Sequence, residues 1–267
     1  MPRKIALFVE GSGSSVPSRR ESGALAMIWN ELLPAALGCT IRPTVIPFSK
    51  RDLVALDRSK PVPTGALALD LLLDQRLTSG SFDAAIVAWD LQPPWDRDVQ
   101  RCRWQETLDL YRLLGQSPNL SEPWRTRARR RHEALMKRPT PETRPHPHKL
   151  ERGEIGAICM EPMFEALLQD ERGLLTSLGL TPSTAGWPRG WKDSALQDPD
   201  RTLLKPAILA AQRSRKRHRI VDQIGGDMKT CKNEWGAYLL NSLLSSDATL
   251  ARLLRRPLAR RLREILP

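Results

Sequence analysis

Cysteine is scarce and never clustered. Four occur in 267 residues, Cys39, Cys102, Cys159 and Cys231, without the Cys-x-x-Cys spacing of a zinc ribbon or the density of a disulfide framework; single free thiols fit a reducing compartment. Long apolar runs are also missing. No stretch approaches the roughly 20 residues needed to cross a bilayer, and the chain opens on a short apolar run with Glu10 close behind it, not on a secretory leader. A cytoplasmic protein that does not engage a membrane is expected. Common catalytic signatures are absent as well. Gly11-Ser12-Gly13 lacks the Gly-Lys-Ser/Thr that completes a phosphate-cradling P-loop, and there is neither a nucleophile elbow nor a zincin motif. His146-Pro147-His148 has no Cys or carboxylate at ligand spacing and reads as a loop. Negative charge is in deficit: 30 Asp and Glu stand against 42 Lys and Arg, a formal net charge of +12.

That excess is concentrated in three places, Arg125 to Arg152, Arg213 to Arg219 and Arg252 to Arg263. Clustered arginine is the electrostatic footprint of nucleic-acid binding, because each phosphate neutralised releases condensed counterions. Candidate phosphate contacts are Arg125, Arg127, Arg129, Arg130 and Arg131, and Arg215, Lys216, Arg217 and Arg219. A solvated basic surface or an acidic protein partner is the competing reading. Aromatic residues make up only 5% of the chain, so tryptophans beside arginines, as in Arg103-Trp104 and Trp124-Arg125, stand out. Stacking on bases is one use for them; core anchoring and cation–π pairing are commoner ones.

Ile5 to Val9 is a compact apolar run, the pattern of a strand buried on both faces of a sheet. Glu10 ends it, followed by a Gly/Ser loop and a helical pattern from about Glu21 to Leu37. Ile41 to Phe48 reads as an irregular or edge strand because of Pro43 and Pro47, and Thr64 to Leu77 as a helix with Thr64 at its N-cap. Asp83 to Asp90 repeats the opening pattern, an apolar strand ending in a carboxylate. Val99 to Leu114 is helical, and Gly115 to Leu150 reads as an exposed basic arm or insertion with helix near Trp124 to Met136. Glu154 to Met160 is a fourth strand, running into a helical Glu161 to Asp170 with Pro162 in its first turn. Beyond lie a loop over 181–201, helices at Lys205 to Arg219 and Glu234 to Leu244, and an amphipathic helix over Ala248 to Leu266.

Strands alternating with helix-length segments predict an α/β fold with a mainly parallel sheet flanked by helices. Such a sheet brings Glu10, Asp90 and Glu161 to its carboxyl edge, where ligands bind. Gathered carboxylates suit a hard divalent cation such as Mg2+, with Mn2+ as substitute, which bridges to phosphate oxygens. Asp96, Asp98, Glu165 and Asp170 are near enough in sequence to be further ligands.

The blocks Ile5-Ala6-Leu7-Phe8-Val9-Glu10-Gly11, Ala84-Ala85-Ile86-Val87-Ala88-Trp89-Asp90 and Glu161 to Asp170 resemble those of Toprim-like domains. They are closest to uncharacterised bacterial Toprim-like proteins associated with mobile elements and phage defence. The resemblance covers about residues 3 to 170, and the closing Leu/Arg-rich helix is also similar. It implies a Toprim-like core over 1–170, with a basic insertion at about 116–152, and a helical basic part over 171–267. It also implies Glu10 as acid/base or ligand and Asp90 as the first acid of a magnesium-binding pair. The family's Asp-x-Asp is here Asp90-Leu91-Gln92, so either Asp96 or Asp98 replaces the second acid or the site binds metal weakly or not at all. The expected function is a metal-dependent nuclease or related phosphodiester-processing protein with Glu10, Asp90 and Glu161 at its centre. The alternative is a catalytically silent subunit that binds nucleic acid or a partner ATPase of a defence system.

Overall fold

The computed structural model describes residues 4–11, 19–79, 82–92, 102–137, 149–192, 198–214, 224 and 232–266. Its centre is a four-stranded, all-parallel sheet in the order β2-β1-β3-β4. The strands are β1 (Ile5–Glu10), β2 (Thr44–Phe48), β3 (Ala84–Asp90) and β4 (Ile155–Met160). Only the side strand β2 is partly exposed; β1, β3 and β4 are buried along nearly their whole length, which is why they read as unbroken apolar runs. Pro47 lies in β2, the outer strand beyond β1, where a missing N–H is tolerated.

Alternation of side chains across the strands divides the core into two layers. Ile5, Leu7, Val9, Ile86, Ala88, Ile158 and Met160 face one of them. There they meet α1 (Arg19–Ala26), α2 (Leu33–Leu37), α7 (Glu171–Leu178), α8 (Lys205–Arg213), α9 (Lys232–Leu244), α10 (Asp247–Leu253) and α11 (Pro257–Ile265). Ala6, Phe8, Val87, Trp89, Ala157 and Cys159 face the other, against α3 (Lys50–Val54), α4 (Leu69–Thr78), α5 (Arg103–Gln116) and α6 (Glu122–Met136). The β1–β2 crossover covers the first face and the β2–β3 crossover the second. These crossovers step in opposite directions across the sheet, which keeps one handedness. The result is a switch point between β1 and β3, at whose carboxyl ends stand Glu10 and Asp90.

Several local expectations are corrected. The helix expected from Thr64 starts at Leu69, because Gly65 takes φ +73° in a turn closed by Ala66 N–H to Pro63 O and Ala68 is extended. α3 was not expected; it is fixed by a capping box in which the Asp52 carboxylate accepts from Ser49 N–H (2.7 Å) and Ser49 Oγ (2.9 Å). The helix expected at Glu161 to Asp170 is a short 3₁₀ turn, Phe164–Leu168, preceded by an extended Met163. α6, expected on an exposed arm, packs on α5 and buries Ala128 and Leu135. The terminal helix breaks at Arg256, whose backbone is extended before Pro257. Two wide π-turns, Met27–Leu32 and Asp200–Leu204, each run into a helix with Pro at its second residue, Pro34 or Pro206. Pro has no N–H to give the tighter ladder, and a widened turn accommodates this. Cys39, Cys102 and Cys159 are free thiols.

β4 is the other side strand, and its outer edge is closed by side chains. The Glu154 and Met160 carbonyls bond towards β3, so those of Ile155 and Ala157 point outward. Tyr111 Oη donates to Ile155 O (2.9 Å), and the Arg261 guanidinium reaches Ala157 O (3.5 Å). Occupying an edge in this way suppresses pairing with another chain.

Candidate active site at the carboxyl edge of the sheet

Register places Glu10 beside Phe48 of β2, and the β1 residue before it beside Ala88 of β3. The ends of the strands therefore converge. Asp90 N–H donates to Glu10 Oε2 (3.1 Å), tying the first acid to the backbone that carries the second. Asp90 Oδ1 accepts from Phe164 N–H (2.8 Å), drawing the turn after β4 across the end of β3. That turn brings in Glu165, and Phe164 is anchored by a tilted ring contact with Trp29 at 5.6 Å.

Two lysines complete the cluster. Lys50, the first residue of α3, places Nζ 2.9 Å from Glu10 Oε2 and also donates to Asp90 O. Its position follows from the capping box, since Asp52 clamps the start of α3 and also accepts from Leu67 N–H (2.9 Å). Lys232, the first residue of α9, sits 2.5 Å from Glu165 Oε1. Both lysines keep contact with solvent, with side chains 18% and 34% exposed, whereas the Glu165 side chain is 4% exposed. The cluster thus opens at the sheet edge through its cations.

Burial governs the electrostatics. Burial pushes the Glu10 carboxyl above its ordinary value, with Lys50 opposing. Asp90 is pushed up to about 7, first by burial and then by the like charge of Glu10. Glu165 is also pushed up to about 7 by burial, with Lys232 opposing and the Asp90 and Asp200 carboxylates reinforcing. Lys232 is held above the usual lysine range: burial acts against its charge, but Glu165 and Asp90 outweigh it. Glu165 Oε2 and Asp200 Oδ1 are buried without a hydrogen-bond partner, while Asp200 Oδ2 pairs with Lys205 at 2.8 Å. Repelling carboxylates and an unsatisfied carboxylate oxygen are a donor set that suits a hard cation. Among the described residues, no three His, Cys, Asp or Glu side chains gather closely enough to hold a metal ion by themselves.

Of the residues singled out in the sequence, Glu10, Asp90 and Glu165 come together. Glu161 is exposed just past the end of β4. Asp170 is the N-cap of α7, accepting from Gly173 N–H and pairing with Arg252 at 2.6 Å. Asp96 and Asp98 lie outside the described residues, as do Arg215, Lys216, Arg217 and Arg219 and the histidines at 146 and 148. On α6, Arg125 and Arg129 fold back onto Glu122, Arg130 is exposed, Arg127 donates to Arg152 O (2.6 Å), and Arg131 bonds Tyr111. Lys50 and Lys232 escaped sequence reasoning. Ser49-Lys50-Arg51-Asp52, a capping signature directly after a strand, is the signal that marks Lys50; nothing comparable marks Lys232. No helix among the described residues is long and apolar enough to cross a membrane. No family model, no curated protein and no solved structure matches the chain.

Proposed function

We propose that the carboxyl edge is the centre of a phosphodiester-processing protein, a nuclease of Toprim-like type acting on nucleic acid with Mg2+. The observation that carries this reading is the convergence of Glu10, Asp90 and Glu165 with Lys50 and Lys232 at the switch point between β1 and β3. Asp90 would hold the ion, with Glu165 Oε2 behind it; one or two carboxylates plus substrate phosphate suffice for magnesium. When bound, the ion supplies charge neutralisation at the phosphoryl oxygens. The chain's own groups do the rest. Lys50 and Lys232, solvent-touching ammoniums, are placed to meet a phosphate's non-bridging oxygens. Glu10, whose hold on a proton is strengthened by burial, can take the proton of an attacking water as the water oxygen bonds to phosphorus and the bond to the leaving oxygen breaks. The protonated acid then returns that proton to the departing alkoxide.

The test is cleavage of labelled single- and double-stranded DNA and RNA with magnesium, manganese or chelator, beside Glu10→Gln and Asp90→Asn. Metal-dependent cutting lost in both variants supports the reading; cutting that survives both refutes the assigned centre. The second reading is a silent subunit that binds nucleic acid or a partner ATPase. It is favoured by the Lys50 ammonium standing between Glu10 Oε2 and Asp90 O, where a cation would sit, and by Gln92 at the expected second acid. Under it, binding persists without cleavage in any metal.

A further inference from the structure

We propose that a nucleic-acid strand lies along the outer edge of β4, its phosphates held by Arg152, Arg127, Arg131, Arg261 and Arg103 in a rail that leads to the acid cluster. This inference rests on the phosphodiester reading above and specifies where the substrate backbone runs. Arginines from three helices and a loop line up along one strand. At the foot of β4, Arg127 lies against Gly153 and donates to Arg152 O, and Arg152, with an 81% exposed side chain, pairs with Asp83. One helical turn further along α6, Arg131 meets Tyr111, which is bonded to Ile155 O. From α11, Arg261 reaches Ala157 O. At the first position of α5, Arg103 acts electrostatically on both Arg261 and Cys159. Cys159 stands beside Trp89, one residue before Asp90.

The spacing explains why α6 presents two kinds of arginine. Arg127 and Arg131 are four residues apart and share the face towards β4, whereas Arg125 and Arg129 share another and are taken up by Glu122. Like charges crowd along the rail. Arg261, mostly buried, is pushed below its ordinary value by burial and by the like charges of Arg103 and Arg131, with Glu264 (3.6 Å) and Tyr111 opposing. Asp83, Glu154 and Glu264 stand beside the five arginines, and a polyanion laid along them would relieve the crowding of positive charge. Backbone contacts of this kind position a strand without reading its sequence. From Gly153 to Cys159 the rail spans about 20 Å at ~3.3 Å per residue. That accommodates on the order of three to six nucleotides of a strand. Held there, the strand would be delivered to the end of β4, beside the lysines and carboxylates of the cluster.

The experiment measures binding of a labelled oligothymidine by the full chain in chelator, as a function of salt. It compares wild type, the triple variant Arg103→Gln, Arg127→Gln, Arg152→Gln, and the control Arg125→Gln, Arg129→Gln. Removing three phosphate contacts should weaken binding at least tenfold and lower the slope of log affinity against log salt by about 2, while the control stays within about twofold of wild type. Circular dichroism and urea unfolding establish that the triple variant is folded; if it is not, Arg152→Glu alone, at a side chain exposed to solvent, must reproduce a weaker slope. An unchanged slope in the rail variants, equal loss in the control, or no binding by wild type overturns the rail. Cleavage is read separately. A rail confirmed in a protein that cuts nothing leaves this inference standing and refutes the nuclease reading, whereas metal-dependent cutting with an unchanged slope does the reverse.

Discussion

Asp90→Asn should make the protein more stable at neutral and alkaline pH while removing the acid on which the proposed activity depends. Asp90 is half-buried at the end of β3, and its proton equilibrium moves from 3.8 in the unfolded chain to about 7 in the fold, through burial and the charge of Glu10. Its folded pKa is thus raised, the reverse of a paired surface carboxylate. Between those values the unfolded state has released a proton that the folded state retains, so stability falls as pH rises through the window. At about 1.4 kcal/mol per tenfold change, the penalty approaches 4 kcal/mol above pH 7, and sharing of the repulsion with Glu10 leaves about 2–4 kcal/mol for Asp90 alone. Asparagine keeps Oδ1 as acceptor for Phe164 N–H and carries no charge. The variant should therefore match wild type near pH 4 and exceed it by about 2–4 kcal/mol near pH 8. Urea unfolding of both proteins across that range gives the difference directly. Asp170 and Asp57, whose pKa values are lowered, lose stabilisation as pH falls, but equally in both proteins, so they cancel. A variant less stable than wild type near pH 8, or a difference that does not change with pH, would refute the electrostatic account of the site.

Three further outcomes follow from the same contacts. Lys232→Met leaves Glu165 buried without its cation and should cost about 3 kcal/mol near pH 8 but much less near pH 5, where the carboxyl is protonated in the fold; paired urea titrations decide this, and a pH-independent loss would argue against the pair. Asp52→Ala removes the acceptor for Ser49 and Leu67, costing about 1–2 kcal/mol in urea unfolding and lowering any phosphodiesterase rate by releasing Lys50; full retention of that rate would show that the capping box does not position the lysine. Gly115→Ala sets a Cβ 2.6 Å from Arg129 Cγ and 3.2 Å from Arg129 N where α5 crosses α6. Overpacking there should destabilise by about 1–3 kcal/mol, and a neutral result in thermal unfolding would mean that the two helices separate easily.

The parallel sheet is legible in the sequence because its inner strands are buried on both faces, so Ile5 to Val9 and Ala84 to Trp89 needed no periodicity to be recognised. Glu10 and Asp90 are legible for the same reason, each being the first ionisable residue after such a run. The segments after these strands are less readable. Glu165 sits in a 3₁₀ turn whose place is set by Phe164 bonding to Asp90, a contact across 74 positions of sequence, and local pattern instead suggests a helix beginning at Glu161. Arg125 to Arg131 reads as one uniform basic block, yet helical geometry splits it between an internal ion-pair face and a face along β4. Lys232 lies 142 positions from Asp90, at the start of a helix whose apolar content gives no hint of a partner.

The charges at the carboxyl edge explain how one site holds a proton near neutral pH and, under the proposed reading, would also take a cation. Glu10, Asp90 and Glu165 bring three negative charges when ionised, and Lys50 and Lys232 return two. Asp200 adds repulsion from behind but has Lys205 to itself. One negative charge is left over in a buried volume, where an unpaired charge is costly. A proton cancels it near pH 7; under the proposed reading a divalent cation held by Asp90 would compete with that proton and, bringing two charges against one, would leave the cluster positive for a phosphate. Either lysine is freed for phosphate only when something else neutralises its partner acid. Coupled in this way, cation and substrate phosphate would favour each other's binding under the proposed reading.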